Sequence, residues 1–98
     1  KTPETVYRLP ILRALVELGG KGSIDAVLER VQAELKGRLN EYDLAPMPSD
    51  EDIPRWRNTA QWARNSLRAE GLVKADSPRG VWEITEEGRK ALVKGPKG

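Results

Sequence analysis

At 98 residues, with 38% hydrophobic and 33% charged side chains, the chain has material for one small core under a charged surface, which excludes a disordered polymer and two ordinary domains. The absence of cysteine and histidine excludes a disulfide scaffold, a thiolate-bound zinc, a thiol nucleophile and the usual general base. A net charge of +2 singles out no partner, and no apolar run approaches the roughly 20 residues of a membrane span or the apolar core of a signal peptide, so a cytoplasmic protein without a membrane partner is expected.

In "LPILRALVELGG", Leu9, Ile11, Leu12, Leu15, Val16 and Leu18 recur at helical intervals, Pro10 is tolerable in a first turn, and Gly19-Gly20 form a stop. In "SIDAVLERVQAELKG", Ser23 is a cap, and Ile24, Val27, Leu28, Val31 and Leu35 form the stripe of a second helix ending near Gly37. Residues 38–53 carry prolines and an acidic run and read as a loop, with a short helical turn around 40–45. Pro54 suits a first helical position, and the third and longest helix then runs to Gly71, a left-handed stop. "LVK" and "VWEI", separated by "ADSPRG", are β-prone and predict a hairpin. Thr85 then opens a short last helix, with Glu86 and Glu87 in its first turn.

Helix, helix, helix, strand, strand, helix is the order of a winged helix-turn-helix, a mainly α fold with a small β-hairpin (α+β). A third short strand, usual between its first two helices, falls at Gly22-Ser23. No internal repeat is present. The expectation is a single domain over 1–98 with its core at about 7–93, and the abrupt Lys1 and the tail "KGPKG" read as a module cut from a longer chain.

Charge is unevenly distributed. Residues 1–52 hold seven Lys and Arg against ten Asp and Glu, net −3, whereas 53–98 hold ten against five, net +5. A concentrated positive field attracts polyanions even when the whole molecule is nearly neutral, and nucleic acid is the first candidate. The third helix sharpens this. With Trp56 set at zero and about 100° per residue, Ala60, Ala63 and Leu67 fall within roughly 40° of it and form the core face. Arg64, Arg57, Arg68, Gln61, Asn65 and Asn58 fill an arc from about 80° to about 200° that holds no acid and no apolar residue. A merely solvated face, the bland alternative, usually mixes Glu with Lys and gains from opposite charges four residues apart.

Arginine grips phosphate or pairs bidentately with guanine, and Asn and Gln match the adenine edge. Arg57, Asn58 and Gln61, early in the helix, are therefore candidates for direct base readout in a major groove, and Arg64, Asn65 and Arg68 for further or backbone contacts. Arg79 at the tip of the wing, with Lys74 behind it, suits a phosphate or a minor groove. With Arg55, the basic residues of 54–80 face only Glu70 and Asp76. Trp56 and Trp82 belong to the core by phase. Trp62, near 240°, lies at the border of the arc; packing under the wing is the expectation, and contact with an exposed or modified base the alternative.

Catalysis has little to work with. "ELK" (Glu34 to Lys36) spells a nuclease metal motif, but on helical phasing instead of a strand, and reads as a chance match. Asp50, Glu51 and Asp52 read as a solvated loop favouring the next helix's N-terminus more than as a Mg²⁺ site. "GGKGS" lacks P-loop spacing. No metal, cofactor, small-molecule substrate or catalytic residue is expected.

"LPILRALVELGG" with "VLERV", "RWRNTAQWARNSLRAEGLV" and "RGVWEITEEGRKAL" resembles the N-terminal domain of Mrr-like restriction endonucleases over roughly residues 7–93. That resemblance implies a winged-helix module that binds double-stranded DNA, with a preference for methylated bases, joined in a parent chain to a nuclease domain that cuts modified DNA; this chain itself would not be an enzyme. The rival expectation is a winged helix that docks on another protein and makes no DNA contact, its acidic first half meeting a basic partner.

Overall fold

The computed structural model describes residues 2–94; Lys1 and most of the "KGPKG" tail lie outside the described residues. A 3-10 turn at Glu4–Tyr7 leads into α1 (Arg8–Glu17), followed by β1 (Lys21–Ser23), α2 (Ile24–Glu34), α3 (Glu41–Leu44), β2 (Pro46–Met47), β3 (Asp50–Pro54), α4 (Arg55–Ala69), β4 (Val81–Glu83) and α5 (Glu86–Lys94). The architecture is winged-helix-like and mainly helical, with small antiparallel sheets.

Local chemistry sets most boundaries. The Ser23 hydroxyl accepts from the Ala26 N–H at 3.1 Å and caps α2 as its sequence predicts. Gly71, at φ +79°, ends α4 in the left-handed region that a side chain disfavours. Thr85 then ties two helices together. Its hydroxyl donates to the Gly71 carbonyl at 2.6 Å and accepts from the Gly88 N–H at 3.0 Å, while its own N–H donates to the Leu72 carbonyl. At Gly88 a Cβ would lie 2.2 Å from that same Leu72 oxygen, so the close approach of α5 requires glycine.

The predicted apolar stripes meet in one cluster. Tyr7, Ile11, Leu12 and Leu15 from the first turns pack with Val27, Leu28 and Val31 of α2, with Trp56, Ala60, Ala63 and Leu67 of α4, and with Val73, Trp82 and Ile84 near the wing. All are buried. Glu70 receives both arms of the Arg8 guanidinium, at 2.5 and 2.7 Å, which hold its carboxyl below the ordinary value.

Three segments differ from the sequence expectation. The wing is not a full hairpin. β4 pairs chiefly with β1, in the register Lys21↔Glu83, Gly22↔Trp82 and Ser23↔Val81, while the "LVK" side contributes only the bridge Val73↔Ile84 and the Lys74 N–H to Glu83 carbonyl bond of 2.8 Å. "ADSPRG" lacks β-branched residues, and Pro78 has no N–H to give, so pairing stops there. Within 38–53, α3 matches the expected turn, but β2 and β3 form a second, unforeseen hairpin. Pro54 is the cap of α4, one position before the helix. Asp50, Glu51 and Asp52 accordingly lie on β3, and the first turn of α4 carries no acid.

The linker is anchored by one buried carboxylate. Asp43, 1% exposed, accepts hydrogen bonds from the Thr2 N–H, the Thr2 hydroxyl and the Asn40 N–H, and Asn40 in turn caps α3. Burial alone would raise the Asp43 pKa; the Thr2 and Asn40 hydrogen bonds outweigh it and hold the carboxyl below its ordinary value. Asp43→Asn is expected to cost about 1–3 kcal/mol at pH 7, the usual penalty for mispairing buried donors. Because the folded value is depressed, the stabilisation is complete above the unfolded value of about 4 and is lost as pH falls through the lower folded value. Denaturant melts of both proteins should therefore converge in acid; a constant gap down to pH 2 contradicts this assignment.

Candidate nucleic-acid interface

Helix α4 buries Trp56, Thr59, Ala60, Ala63 and Leu67, and this fixes what remains outside. Asn58, Gln61, Asn65 and Arg68 are exposed, and Arg57 and Arg64 half-buried, on the face opposite the core. The polar arc read from the sequence is thus one continuous surface. It is not uniform along its length.

Toward the start of α4, Arg57 Nη2 lies 2.6 Å from Asp25 Oδ1. Asp25 is near the N-terminus of α2, where the helix dipole favours an acid, and its side chain is 89% exposed. Sequence reasoning missed it, because a contact 32 residues apart leaves no local signal. Arg57 and Gln61 share with Asp25, Ile24, Ile53 and Gly80 an open cavity of about 410 Å³. Its polar groups comprise a donor fork, an amide and a carboxylate, a set able to contact base edges.

Toward the end of α4, Arg64 lies over the Trp82 ring, 5.3 Å from its centroid, and its Nη1 donates to Asn65 Oδ1 at 3.3 Å. Burial first, and then the like charge of Arg68, push the Arg64 guanidinium below the ordinary arginine value, though such a group keeps its charge. Arg64 and Arg68 face Lys74 and Arg79 of the wing across a cleft of about 220 Å³. The Ile24 N–H to Gly80 carbonyl bond of 3.0 Å holds the wing base against α2. Four of the nine predicted cations and amides therefore converge, while Arg57 and Gln61 form a separate group.

Two residues stand apart. Arg55 stacks on Tyr42 at 4.6 Å and donates to its hydroxyl at 3.1 Å, so it faces α3, away from the wing cations. Trp62 is 58% exposed, which corrects the expectation that it packs under the wing. The wing covers the border near Arg64 and Arg68; on the other border, neighbouring segments bond Arg55 and Ser66 and stop short of Trp62.

Among the described residues no group of three or more acids can hold a metal ion, and no helix is long and apolar enough to cross a membrane. A family model described as the Mrr N-terminal domain matches residues 5–94. No curated protein and no solved structure matches the chain.

The three tryptophans differ enough in exposure, at 3% for Trp56, 2% for Trp82 and 58% for Trp62, to be told apart in solution. Acrylamide should quench one readily accessible component of the emission, and Trp62→Phe should abolish it while shifting stability by no more than about 0.5 kcal/mol, as for a surface substitution. Retention of that component in the variant contradicts the exposure assigned here.

Proposed function

The chain belongs to the Mrr N-terminal domain family, which ties it to Mrr-type restriction systems, and we propose that it is the module that binds double-stranded DNA there. In this reading α4 enters the major groove, with Arg57, Asn58 and Gln61 toward base edges and Asn65 behind them. Lys74 and Arg79 of the wing meet the sugar-phosphate backbone or minor groove together with Arg64 and Arg68. Arg55 supports the start of α4 and reaches a flanking phosphate. A nuclease domain in the parent chain performs the cleavage, so this chain acts in recruitment, in the cytoplasm, and needs no cofactor.

The observation that carries the reading is the acid-free arc of α4 running into the wing cations. Arg64, Arg68 and Arg79 are in no ion pair among the described residues, and Lys74 has only Glu83, at 3.8 Å. A solvated surface gains nothing from such concentration, whereas a polyanion does. Trp62, exposed beside the arc, supports contact with a base, including a methylated one; Trp62→Phe should then reduce preference for methylated over plain duplex, and an unchanged ratio removes that role.

If the four wing-side cations each neutralise one phosphate, a slope of about −0.9 per contact makes binding fall roughly a hundredfold between 50 and 200 mM salt. The rival, a protein-docking winged helix using the exposed acids of β3, predicts indifference to duplex. In fluorescence-anisotropy titrations, Arg57→Ala and Gln61→Ala should narrow the gap between preferred and random duplexes, and Lys74→Ala and Arg79→Ala should weaken all duplexes alike. Unchanged affinity in both pairs refutes groove docking.

Asp25 makes a distinct prediction. Arg57 exchanges its carboxylate partner for DNA on docking, so Asp25 opposes every duplex and is outweighed only where Arg57 finds a good acceptor. Asp25→Asn is expected to raise affinity for random duplex several-fold and to lower discrimination; weaker binding by the variant would show that Asp25 positions Arg57 for DNA instead of competing with it.

A further inference from the structure

The cleft between the second half of α4 and the wing turn has properties that general attraction to a duplex does not require. Arg64, Arg68, Lys74 and Arg79 line a space of about 220 Å³, enough for several waters at about 30 Å³ each or for one compact oxyanion. The cations arrive from two separate elements. Arg64 and Arg68 are one helical turn apart, a spacing at which like charges destabilise a helix. Arg64 is additionally held over the Trp82 ring, which removes water from one side of the guanidinium and fixes the plane of its donor fork.

Unused donors lie in the same wall. Ser77 and Trp82 also line the cleft, and neither the Ser77 hydroxyl nor the Trp82 indole N–H has a hydrogen-bond partner, although both atoms are buried. Trp82 as a whole is only 2% exposed. Buried donors without acceptors are unfavourable alone, and so are four crowded cations that share one acid, Glu83, 3.8 Å from Lys74. A single anion in the cleft relieves the charge crowding, and its oxygens are acceptors of the kind the wall donors lack.

We propose that this cleft is a preformed seat for one tetrahedral phosphoryl group, which it binds through Arg64, Arg68, Lys74 and Arg79 independently of any base contact. The proposal rests on the duplex-binding reading for its biological source, an internal phosphodiester that sets the register of α4 in the groove. The same chemistry fits a terminal phosphate monoester. The seat lies at the wing end of α4 and borders at Gly80 the cavity that holds Arg57 and Gln61, so positioning and base readout fall to adjacent parts of one helix face.

The test starts without DNA. Inorganic phosphate titrated into the full chain at constant ionic strength, against chloride, should shift the Trp82 indole and Arg64 side-chain NMR resonances along one saturable curve. Arg68→Gln and Arg79→Gln, both at exposed positions, should each weaken that curve at least fivefold without lowering the thermal midpoint. Shifts that never saturate, or that spread equally to Lys21 and Arg89, overturn the seat. Duplexes carrying one neutral methylphosphonate at successive positions then identify the source: a loss confined to one internal position supports the phosphodiester, and a loss only on removing a 5′-phosphate supports the monoester. Uniform small losses everywhere overturn the proposal. If duplex binds but inorganic phosphate does not, the seat fails and the duplex reading stands; if phosphate binds and no duplex does, the reverse holds.

Discussion

The packing of four side chains on one helix governs the rest of this molecule. Trp56, Ala60, Ala63 and Leu67 are driven out of water against α1 and the wing residues, and two of the four are alanines, whose small size lets the backbone of α4 approach its neighbours closely. Once that stripe is inside, helical geometry leaves no freedom over the opposite face. The Arg, Asn and Gln side chains are outside because of what lies behind them. Substitutions that reorient α4 would therefore disturb the exterior before they touched it.

The electrostatics follow from the same arrangement. Around α1 the acids are taken up in pairs: Glu70 with Arg8, Glu34 with Arg13, and Glu17 with Arg30. Exposed pairs of this kind contribute little to stability. Their consequence here is spatial, because they occupy Arg8, Arg13 and Glu17 of α1, whereas Arg64, Arg68 and Arg79 are in no ion pair among the described residues. Acids enter the cationic surface at two points, Asp25 beside Arg57 and Glu83 beside Lys74. One surface thus carries both a concentration of cations and carboxylates set against two of them.

What could be read from the sequence was local. The Ser23 cap, the stops at Gly19 and Gly71, the stripes of α2 and α4, that of α1 apart from the exposed Val16, the short strand at Gly22-Ser23 and the burial of Trp56 and Trp82 all depend on residues within a few positions of each other, and each holds in the fold. The surface arc of α4 was legible for the same reason. The missed features were non-local or contrary to propensity. Nothing in the spacing of "SIDAVL" could place Asp25 against Arg57, since that stretch reads only as a capped helix. β3 was invisible because Asp50, Glu51 and Asp52 are poor strand formers, and the segment is held extended by pairing at its two ends, Met47 with Asp50 and Pro46 with Pro54. Trp62 was misjudged because burial at a helix border depends on which neighbour arrives, and that is a tertiary fact.

The β2–β3 hairpin has a further consequence. A free two-stranded ribbon offers open edges to any other extended chain. Here Pro46 stands opposite Pro54 in the register, so one end lacks amide hydrogens, and the three acids of β3 are all exposed. Such a margin is a poor template for strand addition. The segment that departs most from the simple helix-turn-helix plan thus presents edges poorly suited to pairing with another chain.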